Sequence, residues 1–338
     1  MKNETTREAA ARQVPTTMQA WTRTEYGTAR VLSMTEEPVP TPGDGEVLVE
    51  VRATSANAAD WHLLTGEPRL VRLTDGIRRP KSNRTGLDLA GTVVAIGGDV
   101  TQWNIGDRVF GEVHGAFAGF AVAKEGAVAR IPDDASFEQA AAIPVAGLTA
   151  IQAVRDKAGV EQGQDVLVIG ASGGVGTYVV QIAKAMGARV TAVASTRNLE
   201  MVERLGADRV IDRTIGDFTQ SGERFDVVID VAGLRKFSDA RRLLADQGTY
   251  VLIGGPKKTW LGPMRYLVRA LLAGIGSKQT FKGMLAKVTQ ADLEILGGML
   301  GDGTITPEIS EVYEWDRLPE AVAHLGEGHA RAKLVVRR

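Results

Sequence analysis

One stretch limits what this chain can fold into more than any other: Asp165-Val-Leu-Val-Ile-Gly170-Ala-Ser-Gly173-Gly174-Val-Gly176. The apolar run Val166 to Ile169 reads as a buried strand, and four glycines follow within seven residues. A helical pattern then begins, with Val179, Val180, Ile182, Ala183 and Met186 at three- and four-residue steps. Strand, glycine turn and helix form the context that a dinucleotide pyrophosphate needs. Glycines let the backbone approach the phosphates, and the helix N-terminus offers unpaired N–H groups and partial positive charge. Ala171 takes the first position of the strict G-x-G-x-x-G pattern. A purely structural turn is the competing reading, and the flanking strand and helix favour the cofactor.

Strand candidates at 166–169, 189–194, 226–230 and 249–253 alternate with helical candidates at about 174–186, 198–205 and 236–245. That alternation predicts an α/β fold with a parallel sheet covered on both faces. Residues 18–140 instead read as short strands between Gly and Pro turns, a compact β domain, with Glu46 to Val51 alternating polar and apolar. The tail predicts helices at 291–300 and near 319–325, and strands at 309–313 and 333–336. At 338 residues the chain has room for two cores. A formal net charge of −1 gives no reason to expect a nucleic-acid partner. There is no cysteine, hence no disulfide, no thiolate catalysis and no cysteine-bound zinc. No apolar run reaches the ~18 residues of a membrane span. Residues 1–17 lack an apolar block and read as a flexible extension, not a secretory signal. The expected location is the cytoplasm.

The second strand of the nucleotide unit ends at Ala194, where an NAD site usually carries Asp or Glu for the ribose 2′-OH. Ala does not repel a 2′-phosphate. Ser195 offers a donor, Arg197 a fixed forked charge, and Arg213 a second one. The pattern favours NADPH over NADH. A solvated Arg197 at a helix start is the plainer reading.

Several further segments carry a family resemblance in order and spacing. They are Asn57-Ala-Ala-Asp60-Trp61, Gly86-Leu-Asp88-Leu-Ala-Gly91, Val145-Ala-Gly-Leu-Thr-Ala150, Leu205-Gly-Ala-Asp208 and Gly328-His-Ala-Arg-Ala-Lys333. With the glycine loop they resemble the medium-chain dehydrogenase/reductase superfamily. The likeness is to its zinc-less quinone oxidoreductase branch, near homologues of the reticulon-interacting oxidoreductases. The resemblance implies a GroES-like catalytic domain over 18–140, completed by 305–338, with a Rossmann NADP-binding domain over 141–304. The active site then lies in the cleft between them, and a homodimer is implied by analogy alone. Zinc-dependent relatives carry Cys and His where Asn57 and Leu87 stand, and a further ligand near Val145. These three side chains cannot bind zinc, so no metal is expected.

The resemblance also assigns candidate residues. Ser172, Gly173, Gly174 and Val175 would meet the pyrophosphate, with Ser195, Arg197 and Arg213 around the 2′-phosphate. Relatives often carry Tyr where Arg213 stands. Thr149, Val231 and Ile253 would line the nicotinamide, and His329, Ala330 and Arg331 would close over the cofactor. For catalysis Asn57 is the first choice, as an amide that orients the nicotinamide or a substrate-bound water; a local turn role competes. Asp60 would buttress it or cap a helix. Tyr26 and His62 are candidate donors, against a plain turn and a cleft wall.

Without a metal, charge developing on a substrate oxygen needs another stabiliser. Quinones and α,β-unsaturated carbonyls delocalise that charge and are the easier acceptors. Reduction of these by NADPH is therefore the leading reading. A metal-free carbonyl or alcohol dehydrogenase and a non-catalytic NADPH-binding sensor or scaffold stay open. The acid-free segment 256–291 interleaves seven basic residues with apolar ones at helical spacing. It reads as a packed helix, a lid over a bulky apolar substrate, or a surface touching an anionic membrane.

Overall fold

The computed structural model describes residues 14–233, 237–254, 278–328 and 330–338. A short antiparallel ribbon opens the chain, β1 (Thr17–Thr22) against β2 (Ser33–Pro38). Strands β3 (Glu46–Ala56), β4 (Asp88–Ile96), β5 (Arg108–Glu112), β6 (Phe120–Lys124) and β7 (Val128–Arg130) then build a sheet by antiparallel pairing. Alternation along β3 explains its place. Val47, Val49 and Val51 bury with Leu89, Val93 and Val109 on one face, while Leu48 turns to Met18 and Ala20.

A second sheet follows: β8 (Asp165–Ile169), β9 (Arg189–Ala194), β10 (Arg209–Asp212), β11 (Phe225–Asp230), β12 (Leu244–Leu252) and β13 (Thr280–Gly283). Its order is β10-β9-β8-β11-β12-β13, and every neighbouring pair is parallel. The direction of build reverses between β8 and β11. In open parallel sheets that switch point, at the carboxyl ends of the strands, is the ligand crevice. The helix Gly174–Ala185 covers β8 with Tyr178, Val179, Val180, Ile182 and Ala183 buried.

The chain finally returns to the first sheet. Strand β15 (Lys333–Arg337) pairs antiparallel with β3 and parallel with β14 (Ile309–Glu314). One core crosses the junction, joining Ala53, Ala90 and Phe110 of the first sheet to Val166, Val168 and Val179 of the second unit. The two sheets are thereby packed together, with the β8/β11 crevice beside β15.

Two sequence expectations change. The helix expected at 236–245 ends at Leu243, and β12 begins at once at Leu244. In the basic segment, residues 255–277 lie outside the described residues, and Thr280–Gly283 form a strand, not a helix. Phe281 packs on Tyr250, with ring centroids 5.7 Å apart, and the Lys282 ammonium donates to the Lys157 carbonyl at 2.7 Å. Pairing with β12 outweighs helical spacing there.

Candidate functional site

The glycine loop crosses the carboxyl end of β8. Gly170 takes φ +82°, and Gly173 N donates back to the Gly170 carbonyl at 3.1 Å. A Cβ at Gly176 would lie 2.2 Å from the Gly170 oxygen, so only glycine lets the helix start this close to the strand. A Cβ at Gly173 would meet nothing nearer than 3.5 Å, so packing alone does not demand a glycine there. Ser172 and Val175 are half-buried, and Val175 leans on the core.

Val231 and Ile253 follow β11 and β12 at the same edge. Val231 N donates to the Ile169 carbonyl and Ile253 N to the Asp230 carbonyl, each at 3.0 Å. At the end of β9 Ala194 is buried and Ser195 half-buried, the Ser195 hydroxyl accepting from Asn198 at 3.2 Å. Arg197 and Arg213 are exposed, and Arg213 N donates to the Ala194 carbonyl at 2.9 Å. Thr149, in the helix Pro144–Ile151, donates its hydroxyl to the Val145 carbonyl at 2.6 Å. A glycine with open space before its backbone, a helix start and the switch-point edge together fit a nicotinamide dinucleotide. Ser172 through Val175 would hold its pyrophosphate.

Beneath this loop lies a closed polar cluster. Asn57 precedes the helix Ala58–Thr65, and the Asp60 carboxylate accepts from the Asn57 backbone N–H at 2.8 Å. The Asn57 side chain closes a capping box with Asp60 and also reaches the charged pair beside it. Its Nδ2 donates to Asp88 Oδ2 at 2.8 Å, and its Oδ1 accepts from the Lys333 ammonium at 2.6 Å. Lys333 also meets Asp88 Oδ2 at 3.2 Å, with the two side chains 2% and 0% exposed. Asp88 accepts further from the Ser55 hydroxyl and, through Oδ1, from Val145 N at 2.9 Å. Buried ions persist only when paired and hydrogen-bonded in this way. The amide orientation is fixed by its neighbours, since a carboxylate only accepts and an ammonium only donates.

Burial, more than neighbouring charge, sets the protonation of two nearby carboxyls. Burial, aided by Asp88, raises the Asp60 carboxyl to about 8, and Asp60 Oδ1 is buried without a partner. The same two causes raise Glu112, opposite Asp88 on β5, to about 7. Lys333 also carries the link to the loop. Its neighbour Ala332, at φ +51°, donates to the Ser172 carbonyl at 2.8 Å, and a Cβ at Gly174 would lie 3.2 Å from Lys333 Cδ.

The remaining candidates stand elsewhere. The Tyr26 hydroxyl donates to the Gly76 carbonyl at 2.6 Å, with Arg72 over its ring. His62 Nδ1 lies 2.6 Å from the Glu67 carbonyl oxygen. Arg331 bonds Met201 and Glu308, and Ala330 packs on the apolar cluster around Trp315. His329 lies outside the described residues.

Two family models match, an alcohol dehydrogenase GroES-like domain over residues 43–133 and a zinc-binding dehydrogenase over 205–336. A chloroplast envelope quinone oxidoreductase homolog of Arabidopsis thaliana is 33% identical, over 92% of this chain and 95% of its own length. The chain belongs to the medium-chain dehydrogenase/reductase superfamily. Within it, a 2-methylene-furan-3-one reductase of Solanum lycopersicum is 31% identical over 96% of this chain and 80% of its own. The quinone oxidoreductase structure from Coxiella burnetii superposes with a TM-score of 0.84 at 29% identity, covering 95% of this chain and 99% of that one. This is the quinone oxidoreductase-like branch, with a GroES-like domain and a Rossmann-type sheet. Oxidoreductases of this superfamily bind nicotinamide dinucleotides and act on small molecules.

Among the described residues, no group of three or more His, Asp or Glu could hold a metal ion, and no helix is long and apolar enough to cross a membrane. Sequence reasoning quoted Asp88 and Lys333 as motif letters but gave them no role. The available signal was a charge flanked on both sides by apolar residues, Leu87-Asp88-Leu89 and Ala332-Lys333-Leu334, because such a residue seldom buries unpaired.

Proposed function

We propose that this medium-chain reductase transfers hydride from NADPH to quinones or α,β-unsaturated carbonyls without a metal. The observation that carries this reading is the Lys333 ammonium, 2.6 Å from Asn57 Oδ1. Zinc-dependent relatives place a thiolate ligand where Asn57 stands. A fixed cation beside that position opposes a second one by like-charge repulsion at low dielectric. The cluster also joins the glycine loop through Ala332, which sets the catalytic sheet against the nucleotide edge.

Bound nucleotide supplies the hydride. In this reading the backbone at Ser172, Gly173, Gly174 and Val175 holds the pyrophosphate. Ser195, Arg197 and Arg213 hold the 2′-phosphate, and Thr149, Val231 and Ile253 wall the nicotinamide. Ala330 and Arg331 stand on the strand approach that closes the site. Asn57, with Asp60, Asp88 and Lys333 behind it, sets the rigid polar floor of the cleft. Its committed amide makes it a positioning residue. The hydride's two electrons end on a quinone oxygen or, from an enone β-carbon, on a delocalised enolate, and a solvent proton completes either product. Tyr26 and His62, engaged with the Gly76 and Glu67 carbonyls, are given no proton-transfer role in this reading.

The same proposal divides the chain at about residues 140 and 305, keeps the cytoplasm as its location, and takes a homodimer by family analogy alone. The test is NADPH consumption with small quinones and enones against saturated ketones. Turnover confined to the first two classes is expected. Tight NADPH binding with no consumption by any of them would overturn the reading in favour of a sensor.

A further inference from the structure

Among the described residues, exposed large aliphatic side chains are mostly scattered, and three of them gather in one loop. Leu70, Leu73 and Ile77, at 37%, 65% and 72% exposure, fall within eight residues. Scattered exposed aliphatics are ordinary, and a cluster calls for a cause. Arg69, Arg78, Arg79 and Lys81 are exposed among them. The one acidic residue between 68 and 84, Asp75, is buried and pairs with the fully buried Arg23 guanidinium at 2.6 Å. The outer face of this loop is therefore apolar and cationic, without an exposed carboxylate.

The loop is also held from beneath. Arg72 turns inward, donating to the Gly66 carbonyl at 3.0 Å and lying 4.4 Å from the Tyr26 ring centroid. The Tyr26 hydroxyl ties down Gly76, where a Cβ would meet the Arg79 oxygen at 2.1 Å. Lys81 N donates to the Asp75 carbonyl at 2.6 Å. Inward groups anchor the loop, and its exposed side chains are mainly aliphatic and cationic.

We propose that the 69–81 loop docks the protein reversibly on an anionic lipid bilayer. Leu73 and Ile77 insert at the headgroup boundary, while Arg69, Arg78, Arg79 and Lys81 meet lipid phosphates. Aliphatic insertion and phosphate attraction each add to such peripheral binding, and neither alone gives a stable anchor. The charge complementarity excludes a neutral surface as the preferred partner. The docked loop follows the eight-residue helix Ala58–Thr65, about 12 Å long, whose other end carries Asn57. Vesicle binding does not depend on which substrate the cleft takes.

Cosedimentation of the full chain with phosphatidylcholine–phosphatidylglycerol vesicles at low and high salt tests this, with pure phosphatidylcholine as comparison. Binding to the anionic vesicles alone, released by salt, is expected. L73S/I77S and R78Q/R79Q should each weaken it about tenfold or more while leaving the melting midpoint and NADPH consumption unchanged. Absence of binding, equal binding to both vesicles, or binding insensitive to both variants would each overturn the proposal.

Discussion

The glycine loop and the polar cluster beneath it meet at Ala332 and Lys333, and they are built by opposite means. The loop is local, seven consecutive residues whose contacts are backbone atoms, with Gly170 and Gly176 closing on each other. The cluster is assembled from distant segments. Ser55, Asn57, Asp88, Val145 and Lys333 arrive from three strands of one sheet and two helix starts, and the Lys333–Asp88 bond spans 245 residues. A local motif made of backbone tolerates exchange wherever no Cβ is excluded. A cluster of ionised side chains tolerates almost none, because each removal leaves another group buried and unpaired.

The sharpest way to break this contrast is Lys333→Met. It removes the ammonium that both Asp88 and Asn57 use, and the expected cost is about 3–5 kcal/mol, read as a lower denaturation midpoint. Adding Asp88→Asn to that variant should recover much of the loss, since a neutral amide no longer needs the cation. A loss below about 1 kcal/mol in the single variant, or no recovery in the double, would show that the cluster is not the fragile region.

Asp60 gives the next effect, through pH. Its folded carboxyl sits near 8 against an ordinary 3.8, so the folded protein keeps a proton that the unfolded chain releases. The associated stability is present below the unfolded value and is lost as pH rises toward the folded one. Glu112, raised from 4.5 to about 7, acts with the same sign. The unfolding free energy from urea titrations should therefore fall between about pH 5 and 8, by an amount on the order of a few kcal/mol. Asp60→Asn should flatten the fall and stabilise the protein at the alkaline end, because the amide oxygen can still accept from Asn57 N. A wild-type midpoint that rises over this interval would contradict the buried carboxyl.

Within the loop, two glycines separate packing from binding. Gly176→Ala drives a Cβ into the Gly170 carbonyl and should cost about 1–3 kcal/mol of stability. Gly173→Ala meets nothing nearer than 3.5 Å and should leave the midpoint within about 1 kcal/mol, while weakening NADPH binding measured by fluorescence titration. Equal NADPH affinity in Gly173→Ala would remove the phosphates from that position.

This contrast also explains what could be read from the chain. Strands at 165–169, 189–194 and 225–230 were legible because apolar runs and turn glycines are adjacent in sequence. Strand β13 was not, because Thr280 to Gly283 is a short edge strand in a basic run and owes its pairing to β12. Asn57 was legible as a motif residue, but the engagement of its amide by Asp88 and Lys333 was not. Pairing between charges hundreds of residues apart leaves no periodic trace. Tyr26 and His62 show the same limit. Their residue types suggest donors, while backbone carbonyls of Gly76 and Glu67 decide what they bond.

The smallest expected effect belongs to the rim of the loop, where local reading and solvent meet. Arg197 and Arg213 are exposed at the carboxyl ends of β9 and β10, and Ala194 leaves room where an acid would select NADH. If these arginines meet a 2′-phosphate, each forms a charge-assisted contact open to water and to salt. Arg197→Ala and Arg213→Ala should then each weaken NADPH about tenfold, leave NADH unchanged, and lose that difference at high ionic strength. Neither should shift the melting midpoint, since surface charges of this kind add little to stability. Equal losses for both nucleotides would place the arginines at the shared diphosphate or adenosine. Any preference for NADPH would then have to come from Ser195 and the backbone beside it. Loss confined to Arg197 would assign the 2′-phosphate to the β9 end alone, where Arg213 N already holds the Ala194 carbonyl through its backbone.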